Sequence, residues 1–270
     1  MMRLRVAMLG LALLGAFAYA DEDAYLSPTN DRVRVSLGGM RVSNSTTLRV
    51  DSSTIVPGTV INGENQFGLD RSDWEPKFQV MLRAGTRNRL WLDYFTLDRD
   101  GGTVVQEPTV FRDVVLQPGD PVQSELDFRM LSLTYGYSFW HSEKLELAAT
   151  LGVSSVQLDA QAKVATAAVH IDQMEDIAGP FPLPGIAATW VLSRHFYIDG
   201  RAQYLSLHVH ELDGSLGTAE LNVLYRLRPN VSFALGYTGV KAHLESVKSS
   251  NSGLFDFTSK GPQLFVRVSF

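Results

Sequence analysis

The stretch from Gly261 to Phe270, GPQLFVRVSF, decides the fold. Leu264, Val266, Val268 and Phe270 fall on one face of a strand, and Gln263, Phe265, Arg267 and Ser269 fall on the other. The same alternation returns upstream in AELNVLYRLRPNVSFALGYTG, Ala219 to Gly239, where two such runs meet at Arg228-Pro229-Asn230. Ala219, Leu221, Val223, Tyr225 and Leu227 share a face, as do Val231, Phe233, Leu235, Tyr237 and Gly239. Leu145, Leu147, Ala149, Leu151 and Val153 repeat the pattern in mid-chain. These stripes are expected to face lipid.

Working outward from these runs, ten strands are expected, at 32–50, 76–87, 89–99, 124–139, 144–160, 184–193, 195–210, 216–228, 231–245 and 257–270. Most exceed the roughly 9 to 11 residues that a tilted strand needs to cross the hydrocarbon. Short connections at Arg87-Asn88-Arg89, Trp140 to Glu143, Ser193-Arg194-His195 and Arg228-Pro229-Asn230 alternate with longer ones at about 51–75, 100–123, 161–183 and 246–256, and a short one at Asp213-Gly214-Ser215. The third long connection holds AVHIDQMED, read as one or two helical turns. The fold class is therefore all-β: a transmembrane antiparallel up-and-down β-barrel of about ten strands, with eight as the alternative count if a hairpin is miscounted. Short turns belong to the periplasmic side and long loops to the outside. Trp140, Trp190, Tyr197, Tyr225, Phe139 and Phe270 are expected to form an aromatic belt at the periplasmic interface.

The opposite end of the chain agrees. Met1 to Ala20 carries Arg3 and Arg5, an apolar run from Val6 to Phe17 and a small-x-small site at Ala18-Tyr19-Ala20, the pattern of a cleaved export signal. Residues 21–270 are then a single domain. Of the 24 basic side chains two lie in that signal, leaving 22 against 29 acidic ones, a formal charge of −7. A net negative charge without a basic tract disfavours nucleic acid as a partner. The chain has no cysteine, which excludes disulfides, thiolate metal sites and a lipidated cysteine. No later run of about 18 apolar residues exists to make a membrane helix.

A strand that stops on an aromatic residue such as Phe270 resembles the assembly signal of bacterial outer-membrane barrels. Over residues 21–270 the chain resembles the small outer-membrane β-barrel superfamily that includes OmpA-like and OmpW-like barrels. That resemblance implies a Gram-negative outer membrane as location. It implies outer-membrane lipid and lipopolysaccharide as surroundings. It also implies that Leu264, Val266, Val268 and Phe270 are recognised by the barrel-assembly machinery. Ten strands depart from the eight usual in those members, so no ligand residue is carried over.

Parity assigns the lumen. Arg34, Lys77, Arg83, Asp93, Glu146, Asp199, Arg201, Glu220, Arg226 and Arg267 are expected to point inward, among small residues such as Ser36, Gly136 and Ser232. A ten-stranded barrel is narrow, and such side chains can nearly fill it. Two readings follow: a salt-bridged plug with a structural or surface-interaction role, or a narrow passage biased toward anions by its arginines. Trp91, Phe95 and Leu97 accompany Asp93 inward and would suit an apolar ligand. A hydrolase is the alternative from another class. Its nearest candidates, His208, His210, Glu211 and Asp213, sit at the outward end of the seventh strand, with the two histidines on one face. His141-Ser142-Glu143 reads as a solvated turn, since neighbouring turn residues do not converge on one reacting atom. No catalytic set, metal site or cofactor motif is expected.

Overall fold

The computed structural model of the chain describes residues 27–50, 60–66, 68–69, 72–111, 114–164, 167–171, 181–209, 212–248 and 251–270. The expected export signal lies outside them. Ten long strands form a closed antiparallel barrel: β1 (Val33–Val50), β2 (Ser72–Ala84), β3 (Asn88–Val104), β4 (Pro121–His141), β5 (Leu145–Val164), β6 (Phe181–Val191), β7 (Phe196–Val209), β8 (Leu212–Arg228), β9 (Val231–Lys248) and β10 (Asn251–Ser269). Each pairs with its neighbours in sequence, and β10 closes onto β1 with Arg34 opposite Ser269 and Val50 opposite Gly253. Closure removes every free edge, as a barrel in lipid requires.

The expected strands are all present and mostly run further at their outer ends. Pro121, Gly214 and Gly253, expected in loops, sit inside strands, and the strand expected to begin at Pro76 begins at Ser72. Pro76 stands opposite Gly39 in the β1 ladder and just outside the β2–β3 pairing, which starts at Lys77 and Phe95. AVHIDQMED is not helical over its described part. Ala167–Ile171 is a strand that folds back on the end of β5, with Val164 opposite Ala167. Asp213-Gly214-Ser215 lies within β8 rather than in a loop, and Val209 faces Leu212 across the reversal.

The wall changes character along its height. In β4 the outward positions run Gln123, Glu125, Asp127, Arg129 and then Leu131, Leu133, Tyr135, Tyr137, Phe139, while the inward ones run Val122, Leu126, Phe128, Met130 and then Ser132, Thr134, Ser138. β3, β9 and β10 invert at the same height: Tyr94 gives way to Thr96 and Asp98, Tyr237 to Lys241, and Leu264 to Lys260 on the outside. The periplasmic half is apolar outside and charged inside, as lipid demands. The outer half is polar outside with an apolar core, as water demands. From Pro121 to Met130 a tilted strand rises by about 25 Å, so this second half projects well beyond the bilayer.

Phe139, Trp140, Trp190 and Tyr225 lie exposed at the turn end, where an interfacial belt belongs. A register shift between Ser138 and Trp140 turns both Phe139 and Trp140 outward. Tyr197 does not join them. It is 1% exposed and hydrogen-bonds Ser232 inside the lumen, because it shares parity with Asp199 and Arg201.

Candidate functional site: a lumen filled from end to end

The periplasmic mouth is crossed by the segment before β1. Pro28–Asn30 forms a single 3-10 turn with Pro28 and Thr29 buried. Ser27 Oγ donates to the carbonyl of Glu143 at 2.6 Å, and Asp31 pairs with Arg34 at 3.1 Å and Arg226 at 3.6 Å. Arg34 also donates to the Pro28 carbonyl, and Arg83 Nε donates to the Asp31 carbonyl at 3.0 Å. These bonds hold the segment across the opening like a strap.

Just inside, Glu146 is fully buried and accepts a two-pronged bond from Arg83, 2.7 Å on each oxygen, with Arg89 at 3.1 Å and Ser138 at 2.6 Å. A bidentate guanidinium clamp is among the stronger ways to hold a carboxylate. Beyond it one continuous chain of bonds spans the lumen. Arg201 bonds Asp93 at 2.7 Å and Glu220 at 3.4 Å, and Lys77 donates to Glu220 at 2.5 Å and to Gln263 at 2.7 Å. Gln263 bonds Asn222, and Asn222 donates to Asp199 at 2.9 Å. Arg267 closes the run by pairing with Asp199 and donating to Ser36 at 3.0 Å.

All ten residues expected in the lumen therefore point into it, and every one of them has an ion-pair partner there. Sequence reasoning missed Asp31, Arg89, Glu64 and Arg99. Arg89 was placed in a turn, yet it is 2% exposed and stacks on Trp91 with its guanidinium carbon 4.7 Å from the ring centre. Its parity with Trp91 and Asp93 was the available signal. Trp91 in turn needs Gly136, which stands opposite Arg89 on β4, since a Cβ there would lie 2.5 Å from the indole.

Above the charges lies the apolar plug. Phe128 is fully buried, with ring centres 5.8 Å from Phe95 and 4.8 Å from Phe257, and Phe255 stacks 6.0 Å beyond Phe257. Met40, Val42, Leu97, Leu126, Met130, Leu216 and Val240 pack around them. At the outer end Ile61 and Asn62 pair with Leu48 and Thr47 of β1, Gly63–Gln66 makes a single helical turn, Leu69 bridges to Gly101, and Ile61 and Leu69 are buried. Glu64 accepts from Arg99 at 2.8 Å and from the Thr46 amide at 3.0 Å, while Arg99 also donates to Thr46 Oγ1. Gly68 makes that turn possible: its φ is +67°, and the chain passes it against Gly101 and Gly102. Where charges give way to plug, a cavity has about 70 Å³ of free volume, room for a few waters.

The rim candidates are only partly visible. His208 stands opposite Asp213 in the β7 and β8 register, but its side chain, and all of His210 and Glu211, lie outside the described residues. The assembly-signal residues are on the outer face as expected, with Leu264 the most exposed at 56%, and Phe270 extends the seam through bonds to Arg32 and Val33.

No protein-family model matches the chain, and a search of curated proteins finds no match. Among solved structures it is similar to the outer membrane protease OmpT of Escherichia coli, with a TM-score of 0.58 and 10% identity over 93% of this chain and 100% of that one. The fold is that of a small bacterial outer-membrane β-barrel. Weaker likenesses are to the toluene transporter TbuX of Ralstonia pickettii, TM-score 0.35 at 11% identity over 89% of this chain and 90% of that one, and to Neisserial surface protein A, TM-score 0.31 at 11% identity over 88% and 97%.

Proposed function

We propose that this outer-membrane barrel is a plugged scaffold that works at its outer surface rather than as a passage. The observation that supports this is the apolar plug around Phe128, which packs the projecting half like the interior of a water-soluble protein. A solute would have to part the strap at Pro28–Asn30, the Glu146 clamp, the Asp93 to Asp199 chain and the aromatic stack in turn. Such a filled wall is stiff, and it holds the outer loops at a fixed height above lipid. Lipopolysaccharide is the partner we assign to the outer boundary. Arg41, Lys241 and Lys260 are exposed on the neighbouring strands β1, β9 and β10 just above the lipid-facing residues, where lipid A phosphates lie.

Single-channel recording in planar bilayers tests the reading, with folding confirmed by heat-modifiable gel mobility. The wild type, Arg83→Ala and Glu220→Ala are all expected to be silent. Stepwise currents whose size or ion preference changes with either substitution would replace it by a narrow passage. Hydrolysis of lipid or peptide by the refolded barrel, lost in His210→Ala, would replace it by an enzyme at the rim.

A further inference from the structure

Among the described residues, the periplasmic half of the lumen carries more positive than negative charge. Arg34, Lys77, Arg83, Arg89, Arg201, Arg226 and Arg267 face Asp31, Asp93, Glu146, Asp199 and Glu220, seven against five. Glu75, buried one lumen position further out than Lys77, makes it seven against six. A buried guanidinium N–H without an acceptor is costly, and such a donor draws one.

The surplus has a location. Arg89 uses Nη1 on Glu146, but its Nε and Nη2 are buried without a partner. Arg201 uses Nη2 on Asp93 and Glu220, and its Nη1 is likewise buried and unpartnered. Both guanidinium groups pack on Trp91, 4.7 and 5.4 Å from its ring centre, and both line one cavity of about 20 Å³ between the strap and the plug. The carboxylates that share the lining are already engaged: Asp199 by Arg267 and Asn222, Glu220 by Lys77, Gln79 and Arg201. Twenty cubic ångströms admit one guest of about the size of a water molecule.

We infer that this cavity is a binding site for a single small monovalent anion of the halide class, held by Arg89 and Arg201 beside Trp91. Chloride is somewhat larger than a water molecule and would need the lining side chains to give slightly, and guanidinium N–H donors are its chemical complement. The anion would accept from these unpartnered donors without adding a permeation route, since the strap and the plug close both sides.

Trp91 reports on the site, because Trp74, Trp140 and Trp190 are all more than half exposed on the outer wall. The test uses the full barrel carrying Trp74→Phe, Trp140→Phe and Trp190→Phe, refolded in micelles and titrated with bromide against gluconate at constant ionic strength. Saturable quenching of Trp91 is expected, with the apparent bromide affinity at least tenfold weaker in Arg89→Met and in Arg201→Met. Having two variants keeps the test open if one does not fold. Crystals grown in bromide are expected to show an anomalous peak between the two guanidinium groups. Quenching that is absent or strictly linear, or a water in place of the bromide peak, would overturn the inference.

Discussion

The two halves of this barrel solve opposite problems with one strand geometry. In the periplasmic half the outside is apolar and the inside is charged; in the projecting half the outside is charged and the inside is aromatic. Residues four apart on a single strand, such as Phe128 and Ser132 on either side of Met130, belong to different kinds of interior. The contrast shows that the alternation of a strand fixes only which residues share a face. The medium around the wall decides what each face must be made of.

The largest effects should come from the centre of each half. Phe128→Ala leaves a void in the aromatic stack and is expected to cost about 3–5 kcal/mol. Glu146→Ala leaves Arg83 and Arg89 without their carboxylate and is expected to cost a similar ~3–5 kcal/mol. Urea midpoints of the refolded barrel would measure both. If Glu146→Ala alone is neutral, the lower lumen is wetter than its bonding implies. If Phe128→Ala alone is neutral, the projecting half contributes little stability.

A smaller pair sharpens the boundary between the halves. Leu235, 64% exposed on the lipid face, should tolerate arginine poorly, by about 2–4 kcal/mol for a site near the bilayer midplane. Thr258→Arg, on the polar wall of β10, should change stability by less than about 0.5 kcal/mol. Equal costs in lipid vesicles would erase the boundary drawn here. The smallest effect belongs to Arg129→Ala. Its pair with Asp127 at 3.4 Å is exposed to solvent, and a loss of at most about 0.5 kcal/mol is expected, vanishing in high salt.

Much of this was legible in the sequence. The period-two stripes gave the strands, their number and the inward direction of all ten lumen charges, because parity survives errors in where a strand ends. The projecting half was not legible for the same reason in reverse. The expected strands at 124–139 and 231–245 already take in Glu125, Asp127, Lys241, His243 and Glu245, but a polar outer face has no place on a wall assumed to face lipid throughout. With the outer face read that way, Leu126 and Phe257 do not announce a second, apolar interior, and Phe255 falls in the connection expected at 246–256. Glu64 and Arg99 were missed because their pairing depends on a turn held back against β1, and no local pattern encodes it. The strap was hidden similarly, since Asp31 has meaning only beside Arg34 and Arg226. The rim candidates gain only a register, His208 opposite Asp213, with His210 and Glu211 outside the described residues.

The seam between β1 and β10 has a consequence for how the chain reaches this state. It joins residues about 235 positions apart, and closing a loop of that length costs on the order of 5 kcal/mol of chain entropy before its ladder of bonds repays anything. Hairpins such as β8 with β9 can form early because their partners are adjacent. The lumen network and the aromatic stack both draw residues from β1 and β10 or their near neighbours, so neither is complete until the ring is shut. Assembly should therefore be late and all-or-none, with half-built sheets left open at two hungry edges.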